Sequence, residues 1–224
     1  MSPLSQRNAV GRIMGQPTDS FGEDAVTSWD VAGFEELYAS VGEDLDQVPW
    51  ARMGPNPTLV EWLDTRPAPP GRALVIACGL GDDAEELARR GHRVTAFDLS
   101  ETAIGWCRKR FPQSDVDYQV ADLLDPPAQW AGAFDLVVEL YTIQSLPLGT
   151  RPQAVAAVAA PVAAGGALFV RCFARPDDAP VDVRPWPVSR AELGWFTGEG
   201  LTEVSLAEDV TESGTRFFVG VYRR

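Results

Sequence analysis

The chain has 224 residues and a formal net charge of −13 at pH 7, from 32 Asp and Glu against 19 Lys and Arg. At that length, with 45% hydrophobic residues, it can bury a full core within one domain. The acidity counts against nucleic acid and anionic membrane as partners, since phosphate neutralisation selects a basic face and the longest basic run is Arg108–Lys109–Arg110.

Residues 1–20 are polar and aperiodic, which predicts a flexible arm, and they hold no apolar run of the kind a signal peptide needs. From Trp29 to Val41, apolar residues recur at helical spacing, and Thr58 is placed to cap a short helix through Leu59, Trp62 and Leu63. Between them Val48–Pro57 carries three prolines and reads as an ordered loop, so 21–70 is expected to form a helical cap. Strands are then predicted at Ala73–Ala77, Arg93–Phe97, Asp117–Ala121, Phe134–Leu140 and Ala167–Phe173. Helices are predicted at Asp83–Arg90, Glu101–Arg110 and Pro152–Ala160, and a late strand pair at Leu201–Ala207 and Arg216–Tyr222. The apolar run Ala154–Val170 is broken by Pro161 and Gly165–Gly166, so it reads as helix then strand rather than a membrane span. Strands alternating with helices predict a doubly wound, mostly parallel α/β sheet with an antiparallel C-terminal edge. One domain is expected over 21–224, its core at 71–224 and an insertion at 175–190.

Gly79 and Gly81 fall between the first strand and the first core helix, where missing Cβ atoms let a ligand lie against the backbone. Asp98 ends the next strand, and a carboxylate there can accept both hydroxyls of a ribose. The pattern Gly79-x-Gly81-x-x-Ala84 also fits a nicotinamide dinucleotide site. Against that stand Asp82 and Asp83, whose carboxylates lie where a pyrophosphate would sit. A sulfonium cofactor without phosphate tolerates them. The long segment before the turn suits a cover over a smaller cofactor, and little chain follows the fifth strand for a hydride-acceptor domain.

At these residues the sequence resembles the class I S-adenosylmethionine-dependent methyltransferases, and within them most closely the thiopurine and thiol S-methyltransferase group. The segments that carry the resemblance are Val48-Pro-Trp50, Gly54-Pro-Asn-Pro-Thr-Leu59, Leu74–Asp83 and Arg90–Ile104. Ala77 stands where the family has its first glycine, and Val75 stands where general members often carry an acid. The resemblance implies a Rossmann-like sheet of seven strands and S-adenosyl-L-methionine as cofactor, with S-adenosyl-L-homocysteine as product. It also implies roles. Ala77, Cys78, Gly79 and Gly81 would form the floor under the methionine part, with the acid at Asp83 beside them. Asp98 would hold the ribose and Leu99 pack on the adenine. Asp122 would accept from the adenine amino group, with Leu123 donating its backbone N–H, and Trp50 would cover the cofactor near its carboxylate or sulfonium.

Methyl transfer to a small-molecule acceptor, with a thiol as the first candidate, is therefore expected. Transfer to oxygen or nitrogen, and cofactor binding without transfer, are the alternatives. His92, the sole histidine, lies in a turn expected at the opposite strand ends, so a base would be a carboxylate, a tyrosine or water. Glu139 and Tyr141 follow the fourth strand, where an acceptor should meet the methyl group, and are the candidate catalytic residues; Gln144 is near them, and Glu139 could instead hold the cofactor's amino group. The segment Arg175–Pro187 is expected to wall the acceptor pocket together with Trp29–Pro57. Cys78, Cys107 and Cys172 form no CxxC pair, so no metal site is expected, and a reducing cytoplasm suits them. A monomer or weak homodimer is expected.

Overall fold

The computed structural model describes residues 31–42, 44–65, 69–181 and 184–224. The expected arm at 1–20 and the first part of the cap lie outside them. The core begins with Arg72–Ile76 (β1), whose last four residues are buried on both faces as expected of a central parallel strand. Helix α3, Asp82–Arg89, follows with Asp82, Asp83 and Glu85 in its first turn, where carboxylates complement the helix dipole. Strand β2, Arg93–Asp98, leads into α4, Glu101–Arg110, which Ser100 caps by accepting from the Ala103 N–H at 2.9 Å. Then come β3 (Asp117–Val120), β4 (Phe134–Leu140), α5 (Arg151–Ala159) and the long β5 (Val162–Arg175). Ahead of the core lie α1 (Val31–Ser40) and α2 (Pro57–Thr65).

The sheet runs β3-β2-β1-β4-β5-β8-β7, where β7 is Thr202–Val210 and β8 is Arg216–Arg223. Strands β1 to β5 are parallel, whereas β8 is antiparallel to both β5 and β7. The order confirms the doubly wound sheet with an antiparallel edge. An eighth strand, β6 (Val188–Ser189), was not expected: it pairs with Ala174 and Arg175 at the end of β5. Ser189 there opens a capping box with Glu192 that starts a four-residue helix, α6, at Arg190–Leu193. A similar short helix, α7, follows at Trp195–Gly198. Four-residue helices are too short for apolar periodicity to announce them.

One sheet face packs Ala73, Val75, Val138 and Phe169 against Leu59 and Leu63 of α2, Leu87 of α3 and Ile104 of α4. The other packs Leu74, Ile76, Val137 and Val170 against Val155 and Val158 of α5 and Phe196 of α7. Strand order reverses at β1, which has β2 on one side and β4 on the other, and such a switch point opens a crevice beyond the strand C-termini. No helix among the described residues is long and apolar enough to cross a membrane.

Candidate active site at the glycine turn

The first strand stops one residue sooner than expected. Ala77 leaves the sheet with φ 47°, followed by Gly79 at 54° and Gly81 at 88°. Three left-handed residues in five make a bend that two glycines accept without strain and Ala77 accepts at a cost. Four anchors hold it. Cys78 N–H donates to the Phe97 carbonyl at 2.8 Å, Cys107 Sγ to the Gly79 carbonyl at 3.2 Å, and the Glu85 N–H to the Gly81 carbonyl at 3.0 Å, while Tyr118 Oη gives its proton to Glu85 Oε1 at 2.7 Å. The Arg110 guanidinium donates to the Leu80 carbonyl and forms a two-bond pair with Asp82, at 2.8 Å for each bond. Space is tight beneath the bend: a Cβ on Gly81 would lie 2.5 Å from Tyr118 Oη.

Asp98 faces this bend from the end of β2. Its Oδ2 accepts the Gly79 N–H at 2.9 Å and its Oδ1 the Ser100 N–H at 3.0 Å. A carboxylate has about four acceptor positions, so acceptor capacity remains for a diol beside the Ser100, Gly79 and Leu99 N–H groups. Burial raises the Asp98 pKa against these stabilising N–H donors. The Gly79 N–H is thereby committed to a carboxylate, where a dinucleotide site would offer it to a phosphate. Arg110 neutralises Asp82, so electrostatic opposition to a pyrophosphate comes from Asp83 and Asp98 rather than from the expected pair.

A tyrosine that the sequence did not single out covers the bend. Tyr38 of α1 is buried, and a Cβ on Gly79 would lie 3.1 Å from its hydroxyl. Burial, and then the neighbouring Asp98 charge, raises its pKa. Trp50 donates its Nε1–H to Tyr38 Oη at 2.8 Å and meets Phe34 and Tyr38 edge-on, with centroids 5.6 and 5.7 Å apart. Trp50 therefore reaches the turn through Tyr38. The cap is tied down further where Glu35 accepts from Thr102 on α4.

On the other side of β1, Glu139 pairs in register with Ile76. It is fully buried, and its Oε1 accepts the N–H groups of Thr142 at 2.6 Å and Ile143 at 3.1 Å. Its Oε2 has no partner among the described residues. Burial pushes the carboxyl up to about 7. Asp83, pushed up to about 6 mainly by burial, accepts the Asn56 N–H at 2.7 Å. Asn56 in turn reaches Tyr141, its Nδ2 3.3 Å from the Tyr141 hydroxyl.

The structure thus brings Ala77, Cys78, Gly79, Gly81, Asp83, Asp98, Glu139 and Tyr141 around the C-terminal ends of three neighbouring strands. Leu99 is half-buried directly after Asp98. Asp122 and Leu123 follow β3, whose last residue, Val120, pairs in register with Asp98. Asp122 is exposed and accepts the Leu124 N–H at 2.8 Å, while Leu123 points its side chain into the core. Gln144 closes structure rather than opening a site, its Oε1 accepting the Phe173 N–H at 2.5 Å. His92 lies at the opposite strand ends, its Nδ1 accepting the Gly71 N–H at 3.3 Å. Tyr38, Asn56 and Arg171 were missed. Arg171 alone left a signal, a charge within the apolar run Ala167–Phe173.

Residues 73–166 match the model of a methyltransferase domain. A ubiquinone biosynthesis O-methyltransferase of Aromatoleum aromaticum is 38% identical over 117 residues, which cover 51% of this chain and 49% of that protein. The chain thus spans about half the length of the curated relatives it matches. A probable thiol methyltransferase 2 of Arabidopsis thaliana is 29% identical over 150 residues, 64% of each chain. An N-methyltransferase of Bradyrhizobium japonicum WM9, solved with S-adenosyl-L-homocysteine, aligns with a TM-score of 0.63 at 25% identity, covering 84% of this chain and 98% of that one.

Proposed function

We propose that this chain, whose fold is that of the class I S-adenosylmethionine-dependent methyltransferases, transfers a methyl group from S-adenosyl-L-methionine to a small-molecule acceptor, with a thiol as the first reading. The observation that carries it is the carboxylate of Asp98, which grips the Gly79 N–H one strand over from the bend and keeps acceptor capacity for ribose hydroxyls. The orphaned Glu139 Oε2 supports the same cofactor, because a buried carboxylate oxygen without a donor suits an ammonium group.

In this reading Asp98 holds the ribose, Ala77 to Gly81 support the methionine part, and Asp83 and Glu139 face its ammonium. Leu99, Asp122 and Leu123 frame the adenine, and Tyr38, set by Trp50, closes over the turn. When bound, the cofactor supplies a methyl group activated on a sulfonium. The protein aligns the acceptor with it, and such positioning supplies on the order of 7–11 kcal/mol. A thiol of low pKa needs little help from a base, in keeping with the distant His92.

A second reading, transfer to an oxygen, gives Glu139 the proton-accepting role in place of the ammonium contact, a carboxyl pushed up to about 7 being matched to taking a proton at neutral pH. The test is a panel of thiols, phenols and amines with radiolabelled methyl donor. Turnover of thiols supports the first reading and turnover of phenols the second. Donor binding with no labelled product across the panel would contradict both.

A further inference from the structure

Arg171 is buried in β5, a position that ordinarily belongs to an apolar side chain. Each nitrogen of its guanidinium donates to a partner. Nε donates to Tyr141 Oη at 2.7 Å, Nη1 to Thr58 Oγ1 at 2.5 Å, and Nη2 to Asp209 Oδ2 at 3.2 Å. The Arg171 carbonyl also accepts the Tyr141 N–H at 2.8 Å, so one residue fixes both ends of Tyr141. That double hold accounts for how Tyr141 keeps φ at 66°, a conformation a tyrosine adopts only when its surroundings impose it.

The second bond to Tyr141 Oη comes from Asn56, whose amide orientation is fixed because its Oδ1 accepts the Thr58 N–H at 3.0 Å. Both partners of the phenol oxygen can only donate. A phenol has one proton and limited acceptor capacity, so its proton is left for something else. Around it lies an aromatic wall: Phe173 stacks on Phe217 with centroids 4.8 Å apart, and Tyr141 meets them at 6.0 and 6.1 Å.

We propose that Arg171 is a positioning residue for acceptor binding: with Asn56 it fills the acceptor capacity of the Tyr141 hydroxyl and so makes it a dedicated donor, selecting acceptors that carry an oxygen lone pair beside the atom to be methylated. This rests on the methyl-transfer reading above and names a substrate feature within it. Asp83 joins the same network through Asn56, which links the acceptor side to the helix that follows the glycine turn.

The test uses isosteric pairs that differ only in that oxygen: 2-methoxythiophenol against 2-ethylthiophenol, and the corresponding phenols and anilines, with radiolabelled donor. The wild-type protein prefers the methoxy member by about tenfold in kcat/KM, expressed mainly in KM, as one hydrogen bond allows. Tyr141→Phe and Arg171→Met erase the preference, and Arg171→Lys restores part of it. S-adenosyl-L-homocysteine still binds in all three, because Asp83 is held by the Asn56 backbone N–H rather than by the phenol. Tyr141→Phe keeps the ring and supplies the test if Arg171→Met does not fold. Equal use of both members by the wild type, a preference that survives Tyr141→Phe, or transfer to none of them with S-adenosyl-L-homocysteine bound would overturn the inference. Failure to bind S-adenosyl-L-homocysteine would overturn the reading beneath it.

Discussion

Asp98 accepts one backbone N–H on each carboxylate oxygen, so it is already oriented before any ligand arrives. Asp98→Ala should weaken S-adenosyl-L-homocysteine binding by about 1–3 kcal/mol, because two ribose hydroxyls would lose their acceptor; calorimetry reads the difference, and an unchanged affinity would remove Asp98 from the site. Gly81 makes a separate claim. Its φ of 88° and the 2.5 Å approach to Tyr118 Oη both oppose a side chain. Gly81→Ala should therefore cost on the order of 1–3 kcal/mol in urea unfolding. Gly105, inside α4 with open space around its Cα, is the control: there alanine should stabilise by about 0.5–1 kcal/mol. Equal effects at the two positions would contradict the tight bend. The glycines and Asp98 were legible because their chemistry leaves local traces: a turn after an apolar run, and an acid at a strand end. Asn56 and Arg171 left weak traces or none, because their roles come from contacts between residues 56, 141 and 171 that only the fold brings together, and Tyr38 likewise acts through Gly79 and Trp50, distant in sequence.

At the scale of elements, β4 carries the clearest electrostatic consequence. Burial lifts Glu139 from an ordinary 4.5 to about 7, so the folded state holds its proton more tightly than the unfolded chain. Stability from this group is complete below about pH 4.5 and is lost as pH rises through 7, a change on the order of 3 kcal/mol. Asp83, lifted to about 6, acts with the same sign over a lower window. Glu139→Gln should flatten the fall in stability between pH 5 and pH 8, followed by denaturant midpoints. Parallel profiles for the two proteins would show that Glu139 is not desolvated. The principal strands and helices were legible from apolar runs and caps. The end of β1 was not, because nothing in Val-Ile-Ala-Cys says that Ala77 turns left-handed. The β6 pairing escaped too, since two residues carry no period.

For the whole molecule, the doubly wound order follows from strands alternating with helices, and the antiparallel edge follows from a late strand pair without a helix between its members. What the pattern could not supply is how the cap sits. Tyr38 lies on a helix that apolar spacing announces and Trp50 on proline-rich chain, but their place over the glycine turn is a tertiary fact. The bend after β1 and the carboxylate after β2 are proposed to form one adenosyl site. Calorimetric titration with S-adenosyl-L-homocysteine and, separately, NAD tests it most directly. Saturable binding of S-adenosyl-L-homocysteine and none of NAD is the expected result. Tight binding of NAD, with no heat from S-adenosyl-L-homocysteine, would contradict it.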